Sequence, residues 1–414
     1  MSLTKVSFSM INGAPINVLD YGADPTGMAN SSTAINLALA TGRHIYIPQG
    51  TYRLDSELTP MSNQTIQGDG CNATVLSANT VGMTCINYPS GYWSNVQIKD
   101  LNVEGNSKAA IGINLVSANQ GAVSNCLIDN VTSGNNTLYN IYALQATYST
   151  FNRLNLVGGQ YGLFLFDCYD VFVSNSLMYE ASQACLISFK GSQNKFTCNH
   201  LYNGLIFAPS LLILDGGSGM TFDGCTFEPT TIGGVTYEVI IKSTTSGLNT
   251  VPVDCLFINC RWIGQTAMKT NCVYVATVGT AYKITFQLCQ FIKPTGSSIV
   301  LGSQQYTSII QCVDLAGYDT LTYAPVTVSN VGGNPYYQEN LPGNFLFTVS
   351  ANAIAATSFV STGTVSTRWT SGTGSPEGVV VGAVGCLYSR TNGGANTTFY
   401  VKESGTGNTG WIGK

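Results

Sequence analysis

Apolar positions along this 414-residue chain come in short patches between polar turns, and one six-residue phrase keeps returning. It carries apolar residues at its first and sixth places and often Cys at its fourth. It reads Ile98-Lys99-Asp100-Leu101-Asn102-Val103, then Val123-Ser124-Asn125-Cys126-Leu127-Ile128, then Phe151-Asn152-Arg153-Leu154-Asn155-Leu156. Weaker copies begin at Val173 and Phe196, and the clearest three begin at Phe222, Phe257 and Phe286. The copy at Ile309 closes the series and ends on Asp314, without its last apolar place. Successive starts lie 22 to 35 residues apart. A spacing in the low twenties is one minimal coil of a solenoid, and longer gaps predict loops inserted at its corners. Equivalent places in successive coils then stack about 4.8 Å apart as parallel strands. The pattern predicts an all-β fold, a right-handed parallel β-helix, with Cys126, Cys225, Cys260, Cys289 and Cys312 in one interior column. A second strand per coil is expected at Leu163-Phe164-Leu165-Phe166, Leu186-Ile187-Ser188-Phe189 and Leu211-Leu212-Ile213-Leu214.

An open solenoid end exposes ladder groups and core, so both ends need covering. Ser31 or Ser32 is expected to cap a helix within 32–41, with apolar residues at 35, 38 and 39 laid across the first coil. Gly332-Gly333-Asn334-Pro335 and Leu341-Pro342-Gly343-Asn344 punctuate the far end. Beyond them the texture changes, with expected β patches at Gly378-Val379-Val380-Val381-Gly382 and Thr398-Phe399-Tyr400-Val401, and a hairpin turn at Asn392-Gly393-Gly394. The chain thus divides into a lead at 1–15, a β-helix at 16–335 and a small β module at 345–414 for trimerisation or receptor binding.

Charged residues make up only 9% of the chain, against about 25% in ordinary globular domains. No run approaches the ~18 apolar residues of a spanning helix, so membrane insertion is not expected. The N-terminus lacks the apolar core of a signal peptide. The net charge is −4 with no Lys/Arg cluster, which excludes nucleic acid as a partner. Thirteen cysteines without a Cys-x-x-Cys pair, and only His44 and His200 beside them, give no zinc pattern. No metal or cofactor is expected, and the thiols read as small hydrophobes.

Three motifs carry a resemblance. They are Ile16-Asn17-Val18-Leu19-Asp20-Tyr21-Gly22-Ala23-Asp24-Pro25-Thr26-Gly27, His44-Ile45-Tyr46-Ile47-Pro48-Gln49-Gly50-Thr51-Tyr52 and Thr65-Ile66-Gln67-Gly68-Asp69-Gly70. In this order they resemble the opening of the pectate-lyase-like β-helix superfamily. The lead Val6-Ser7-Phe8-Ser9-Met10-Ile11-Asn12-Gly13-Ala14-Pro15 and the closing segment from Ser375-Pro376-Glu377-Gly378 to Gly410-Trp411 resemble bacteriophage tailspikes and tail fibres. The resemblance implies a homotrimer in the phage tail, assembled in the host cytoplasm and joined to other tail proteins through its N-terminus. It also implies binding, and commonly cleavage, of a bacterial surface polysaccharide: capsule, O-antigen or exopolysaccharide.

Tailspike glycosidases mostly work with two carboxylates, and a β-helix can place these by stacking coils. Asp167-Cys168-Tyr169-Asp170 sits at an expected corner, and its Asp-x-x-Asp spacing is similar to that of some tailspike endoglycosidases. Glu180 follows the next strand and completes a candidate catalytic set with Asp167 and Asp170. A corner turn held by Asp170 explains the same pattern without catalysis. Asp167, Lys190 and Asp215 fall at comparable places before successive phrases, either as an ion ladder or as two carboxylates about 9.6 Å apart. Glu180 and Glu228 have a similar two-coil separation, with Tyr179 and Tyr202 nearby as sugar contacts. His200 reads as outward polar filler or a surface-groove contact, Trp262 as core and Trp93 as a sugar-stacking candidate. The polygalacturonase signatures Asn-Thr-Asp, Gly-His-Gly and Arg-Ile-Lys are absent. A non-catalytic receptor-binding fibre and a polysaccharide lyase are the competing expectations.

Overall fold

The computed structural model describes residues 11, 13–88, 93–116, 123–203, 210–229, 237–243, 252–263, 271–275, 283–292, 297–302, 306–315, 323–324, 326, 328–330, 336–339, 358–361 and 367–414. Most of the lead and the turns expected at 332–335 and 341–344 lie outside the described residues. Two compact units divide the chain, 1–351 and 352–414.

The first unit is a parallel β-helix, and its register begins well before the first phrase. Ile16, Ile45, Ile66, Ile98, Ile128, Phe151, Val173, Phe196, Phe222, Phe257, Phe286 and Ile309 are each the direct strand partner of the next. All face inward, and the aromatic members stack ring on ring, with centroids 4.4 Å apart for Phe196–Phe222 and 4.7 Å for Phe222–Phe257. Each coil has three walls. The first is a ten-stranded sheet that includes Tyr139–Leu144, Tyr161–Phe166, Ala184–Phe189 and Leu212–Asp215. The second holds the column just described. The third holds Leu156, Met178, Leu201, Phe227, Trp262 and Phe291, so Trp262 is core as expected. Trp93 also packs against the core, with its ring 4.9 Å from that of Tyr88.

The phrase is not a single strand. Its third residue bends the chain between the second and third walls, and Asp100, Asn130, Arg153, Asn175, Cys198, Gly224, Asn259, Leu288 and Gln311 all hold φ between 51° and 62° there. This left-handed conformation costs a non-glycine residue roughly 1–2 kcal/mol. The bend recovers that cost by letting both flanking strands keep their ladders. A second bend, between the first and second walls, uses the same grammar: Asn125, Tyr148, Asp170, Gln193, Gly219 and Asp254 stack there, all at positive φ. Because the two bends read alike in sequence, the phrase at Val123 belongs to this other bend. The partner of Ile98 is Ile128, and Cys126 stands apart from the column of Cys225, Cys260, Cys289 and Cys312.

The residue after each bend explains the cysteines. Its N–H points inward, where no strand partner waits, and a side chain of the following coil accepts it. Leu154 N–H donates to Ser176 Oγ at 3.0 Å, Ser176 N–H to Asn199 Oδ1 at 3.1 Å, and Cys289 N–H to Cys312 Sγ at 3.4 Å. Those side chains donate in turn to carbonyls, as Asn199 Nδ2 does to Val173 O at 2.9 Å and Cys260 Sγ to Phe222 O at 3.5 Å. From Ser176 onward the fourth place therefore takes a small hydrogen-bonding residue, filled by Ser, Asn or Cys, whereas Leu101 and Leu154 hold it in earlier coils. Burial pushes the Cys126 thiol up to about 11, and those of Cys168, Cys185 and Cys255 up to about 12.

The helix is Ser32–Leu39, and it buries Ala34, Ile35, Ala38 and Leu39 in the common core. Its N-terminus differs from expectation. Asn30 Oδ1, not a serine hydroxyl, takes the Ser32 N–H at 2.9 Å. Ser31 Oγ is engaged with the Asp24 backbone instead. Asp24 itself gathers the N–H groups of Thr26, Met28 and Ala29, which hold its carboxyl down at about 2.

The second unit is a five-stranded sheet made of Ser358–Ser361, Thr367–Gly372, Leu387–Arg390, Phe399–Lys402 and Trp411–Gly413. Cys386, Tyr388, Tyr400 and Trp411 form its core. The patch Gly378-Val379-Val380-Val381-Gly382 is turn rather than strand, because Pro376 O accepts the N–H groups of both Val379 and Val380.

Candidate functional site

Strict alternation along the third wall sends Met178, Leu201 and Phe227 inward and leaves their neighbours outward. Tyr179, Tyr202 and Glu228 are successive partners in one outward column. The two tyrosine rings lie 4.8 Å apart and nearly parallel at 5°. Each ring turns one face to the other, so edges and hydroxyls are what the pair offers outward. Desolvation, then Tyr179 and the glutamates Glu180 and Glu228, push the Tyr202 hydroxyl above its ordinary value. At neutral pH it keeps its proton and serves as a donor.

His200, Thr226 and Arg261 form the adjacent outward column. His200 Nε2 and Glu228 Oε2 are 3.1 Å apart, and the imidazole lies 5.4 Å from the Tyr202 ring. Glu180 follows Tyr179 at φ 58°, where its N–H donates to Tyr202 O. Glu180 lies one residue past the tyrosine column and Glu228 within it, two coils further on, a rise of about 9.6 Å along the stack. That is near the 6.5–9.5 Å between the carboxyl groups of inverting glycosidases. The sequence leaves His200 between groove contact and filler because its phrase copy, Phe196-Thr197-Cys198-Asn199-His200-Leu201, gives no partner. Aligning it with Phe222-Asp223-Gly224-Cys225-Thr226-Phe227 sets it one column from Glu228.

The remaining candidates lie elsewhere. Asp167 and Asp170 stand at the two left-handed positions between the first and second walls, at φ 54° and 53°. Two strands of the same coil, Phe172–Ser174 and Leu177–Tyr179, run between Asp170 and Glu180. The Asp167 carboxylate accepts hydrogen bonds from Gln145 Nε2 at 3.2 Å and from the Tyr169 hydroxyl. Asp215 is not in register with Asp167 and Lys190. Its ladder partners are Phe189 and Lys242, while the Asp167 column runs through Lys190 to Gly216. The offset of one residue sets it on the outward side of the first wall, two places after Ile213, where its surroundings cover it: Asp215 is 5% exposed and 3.8 Å from the Lys242 ammonium.

The first wall presents a different outward side. Tyr142, Phe164, Ile187, Ile213, Ile240, Tyr274 and Val300 follow one another in a single column. Tyr139 and Tyr161 stack beside it, with centroids 5.3 Å apart. Among the described residues no group of three or more His, Cys, Asp or Glu side chains is placed to hold a metal ion, and no helix is long and apolar enough to cross a membrane.

A family model described as rhamnogalacturonase A/epimerase, pectate lyase-like, matches residues 15–236. No curated protein matches the sequence. Among solved structures the chain is similar to the gp42 tailspike of Acinetobacter phage vb_AbaP_AS12, at 11% identity over 96% of this chain and 76% of that one, with a TM-score of 0.54. It is also similar to a double mutant of the tailspike of E. coli bacteriophage HK620, solved in complex with a pentasaccharide (12% identity, 79% and 65% coverage, TM-score 0.54). The catalytic unit of a GH87 alpha-1,3-glucanase from Streptomyces thermodiastaticus is a third likeness (14% identity, 78% and 68% coverage, TM-score 0.50). The chain spans less than two thirds of some of the solved chains it matches, 63% and 65% of two of them. At these identities the likeness is one of fold.

Proposed function

Because the chain belongs to the rhamnogalacturonase A/epimerase, pectate-lyase-like family, we propose that it binds and hydrolyses a bacterial surface polysaccharide as a receptor-binding phage tail protein. The carrying observation is the outward column Tyr179–Tyr202–Glu228, with Glu180 and His200 against it. In this reading the glycan lies across the third wall. One of Glu180 and Glu228 protonates the glycosidic oxygen as that bond breaks. The other takes a proton from the water attacking the anomeric carbon from the opposite side. His200 positions Glu228, and the tyrosine hydroxyls donate to sugar oxygens. Asp167 and Asp170 then hold the corner that supports the first wall, in keeping with the hydrogen bonds Asp167 accepts from its own neighbours. The two tailspike likenesses, one covering nearly the whole chain, support the phage assignment.

The apolar column on the first wall supports assembly as a homotrimer, with first walls turned toward a three-fold axis. A reducing-end assay on purified host polysaccharide tests the reading. Glu180→Gln and Glu228→Gln are expected to abolish product while Asp167→Asn and Asp170→Asn retain it. The reverse pattern moves the chemistry to the corner between the first and second walls. No product from the unaltered protein leaves a binding-only fibre, and an unsaturated uronate chromophore identifies a lyase.

A further inference from the structure

Near its N-terminal end the second wall carries a cleft of about 200 Å³, lined in part by Pro15, His44, Tyr46, Gln67 and Lys99. Tyr46, Gln67 and Lys99 are successive residues of one outward column. That column continues into Asp129, Asn152 and Ser174, a strip whose polar groups satisfy one another. Asp129 takes Asn152 Nδ2 at 2.9 Å and Arg153 Nε at 2.8 Å, and Asn152 Oδ1 takes Ser174 Oγ at 2.9 Å. The carboxylates around the cleft are also supplied. Asp69 accepts the Tyr46 hydroxyl at 2.8 Å and the Gln49 N–H at 2.7 Å, and Asp100 accepts Asn130 Nδ2 at 2.7 Å.

Two donors are left over. Lys99 forms no ion pair or hydrogen bond among the described residues; only its field reaches Asp129. His44 Nδ1 accepts the Thr65 N–H at 3.1 Å, so a neutral imidazole carries its proton on Nε2 and donates from there. An ammonium and an exposed imidazole N–H, both lining the cleft beside Tyr46 and Pro15, can exchange water for a carboxylate whose ligand rests on the cleft wall. The cleft is smaller than the roughly 300–1,000 Å³ of sites for larger ligands, which suits a single sugar ring.

We propose that this cleft is a second carbohydrate site, separate from the third wall, that holds one uronate unit with its carboxylate on Lys99 and His44. It does not depend on the hydrolase reading. The test follows the imidazole resonances of the full chain while D-galacturonate is titrated in, with D-galactose as the uncharged comparison. The chain has only two histidines, so the resonance remaining in His200→Gln belongs to His44. The His44 resonance is expected to shift saturably with galacturonate and about 10-fold more weakly with galactose, the value of one charge-assisted hydrogen bond. Lys99→Gln is expected to weaken galacturonate by a similar factor with an unchanged melting temperature, while Glu228→Gln leaves the response intact. A His44 resonance unmoved at about 50 mM galacturonate, a weak-binding ceiling, overturns the proposal. So does an equal response in Lys99→Gln, or loss of the response in Glu228→Gln.

Discussion

The first and third walls are built by the same coils around one core, yet their outward sides have nothing in common. The first wall repeats apolar and aromatic residues from Tyr142 to Val300, while the third runs Val157, Tyr179, Tyr202 and Glu228 and turns apolar again only at Ile263 and Ile292. A parallel stack demands periodicity only of the side chains it buries. Outward repetition over many coils therefore signals another extended surface laid against it, whereas variation at one or two coils signals a local ligand. In the proposed reading the two walls are the two cases side by side.

The comparison can be broken most sharply by swapping the consequences of substitution. Glu228→Gln should lower depolymerisation roughly 100- to 10,000-fold, the contribution of a positioned acid or base, while light scattering still reports the intact assembly. Ile213→Asp should do the opposite in kind, reducing the scattering mass to about that of one chain because a charge cannot be buried unpaired on an apolar face. Loss of assembly in Glu228→Gln, or an unchanged mass in Ile213→Asp, would erase the distinction between the walls.

Beneath both walls, Asn199→Leu should lower unfolding free energy by roughly 2 to 4 kcal/mol in denaturant titration, since it strands the Ser176 N–H and the Val173 carbonyl. Cys198 is the useful contrast: it occupies an exposed bend position in the same coil, and Cys198→Ser should change stability little. The smallest effect concerns pH. Asp24 is held at about 2, below its unfolded value near 4, so its contribution is present above about pH 4. It is lost as pH falls toward about 2, and Asp24→Asn should flatten acid unfolding within that window.

The fold was legible because its signal repeats. The inward column sets a phrase that recurs often enough to be recognised even where Val173 or Phe196 weakens it. Register was less legible, for a definite reason. Both bends spell apolar-x-x-small-x-apolar, so Val123-Ser124-Asn125-Cys126-Leu127-Ile128 imitates its neighbour, and a shift of one residue moved Asp215 out of the column of Asp167 and Lys190 into the ladder of Phe189 and Lys242. The candidate site was legible in part. Glu180, Glu228, Tyr179 and Tyr202 could be found by counting coils, but the contact between His200 and Glu228 depends on two columns standing side by side. Spacing along a chain does not record that.

The amides behind the bends give the stack a direction. In the contacts from Leu154 to Ser176, from Ser176 to Asn199 and from Cys289 to Cys312, the earlier coil supplies the N–H and the later coil the acceptor. At these bends a coil is therefore incomplete toward its C-terminal side until its successor arrives, while its strand amides, such as Leu177 N–H on Leu154 O and Thr150 N–H on Cys126 O, look back to the coil before. Removing coils from the C-terminal end would leave open amides on the new last coil. Removing them from the N-terminal end would open strand amides such as that of Leu177 and leave the bend side chains as spare acceptors. At the bends the two ends of the solenoid are chemically unlike, and a chain emerging N-terminus first closes each bend in the order in which it is made.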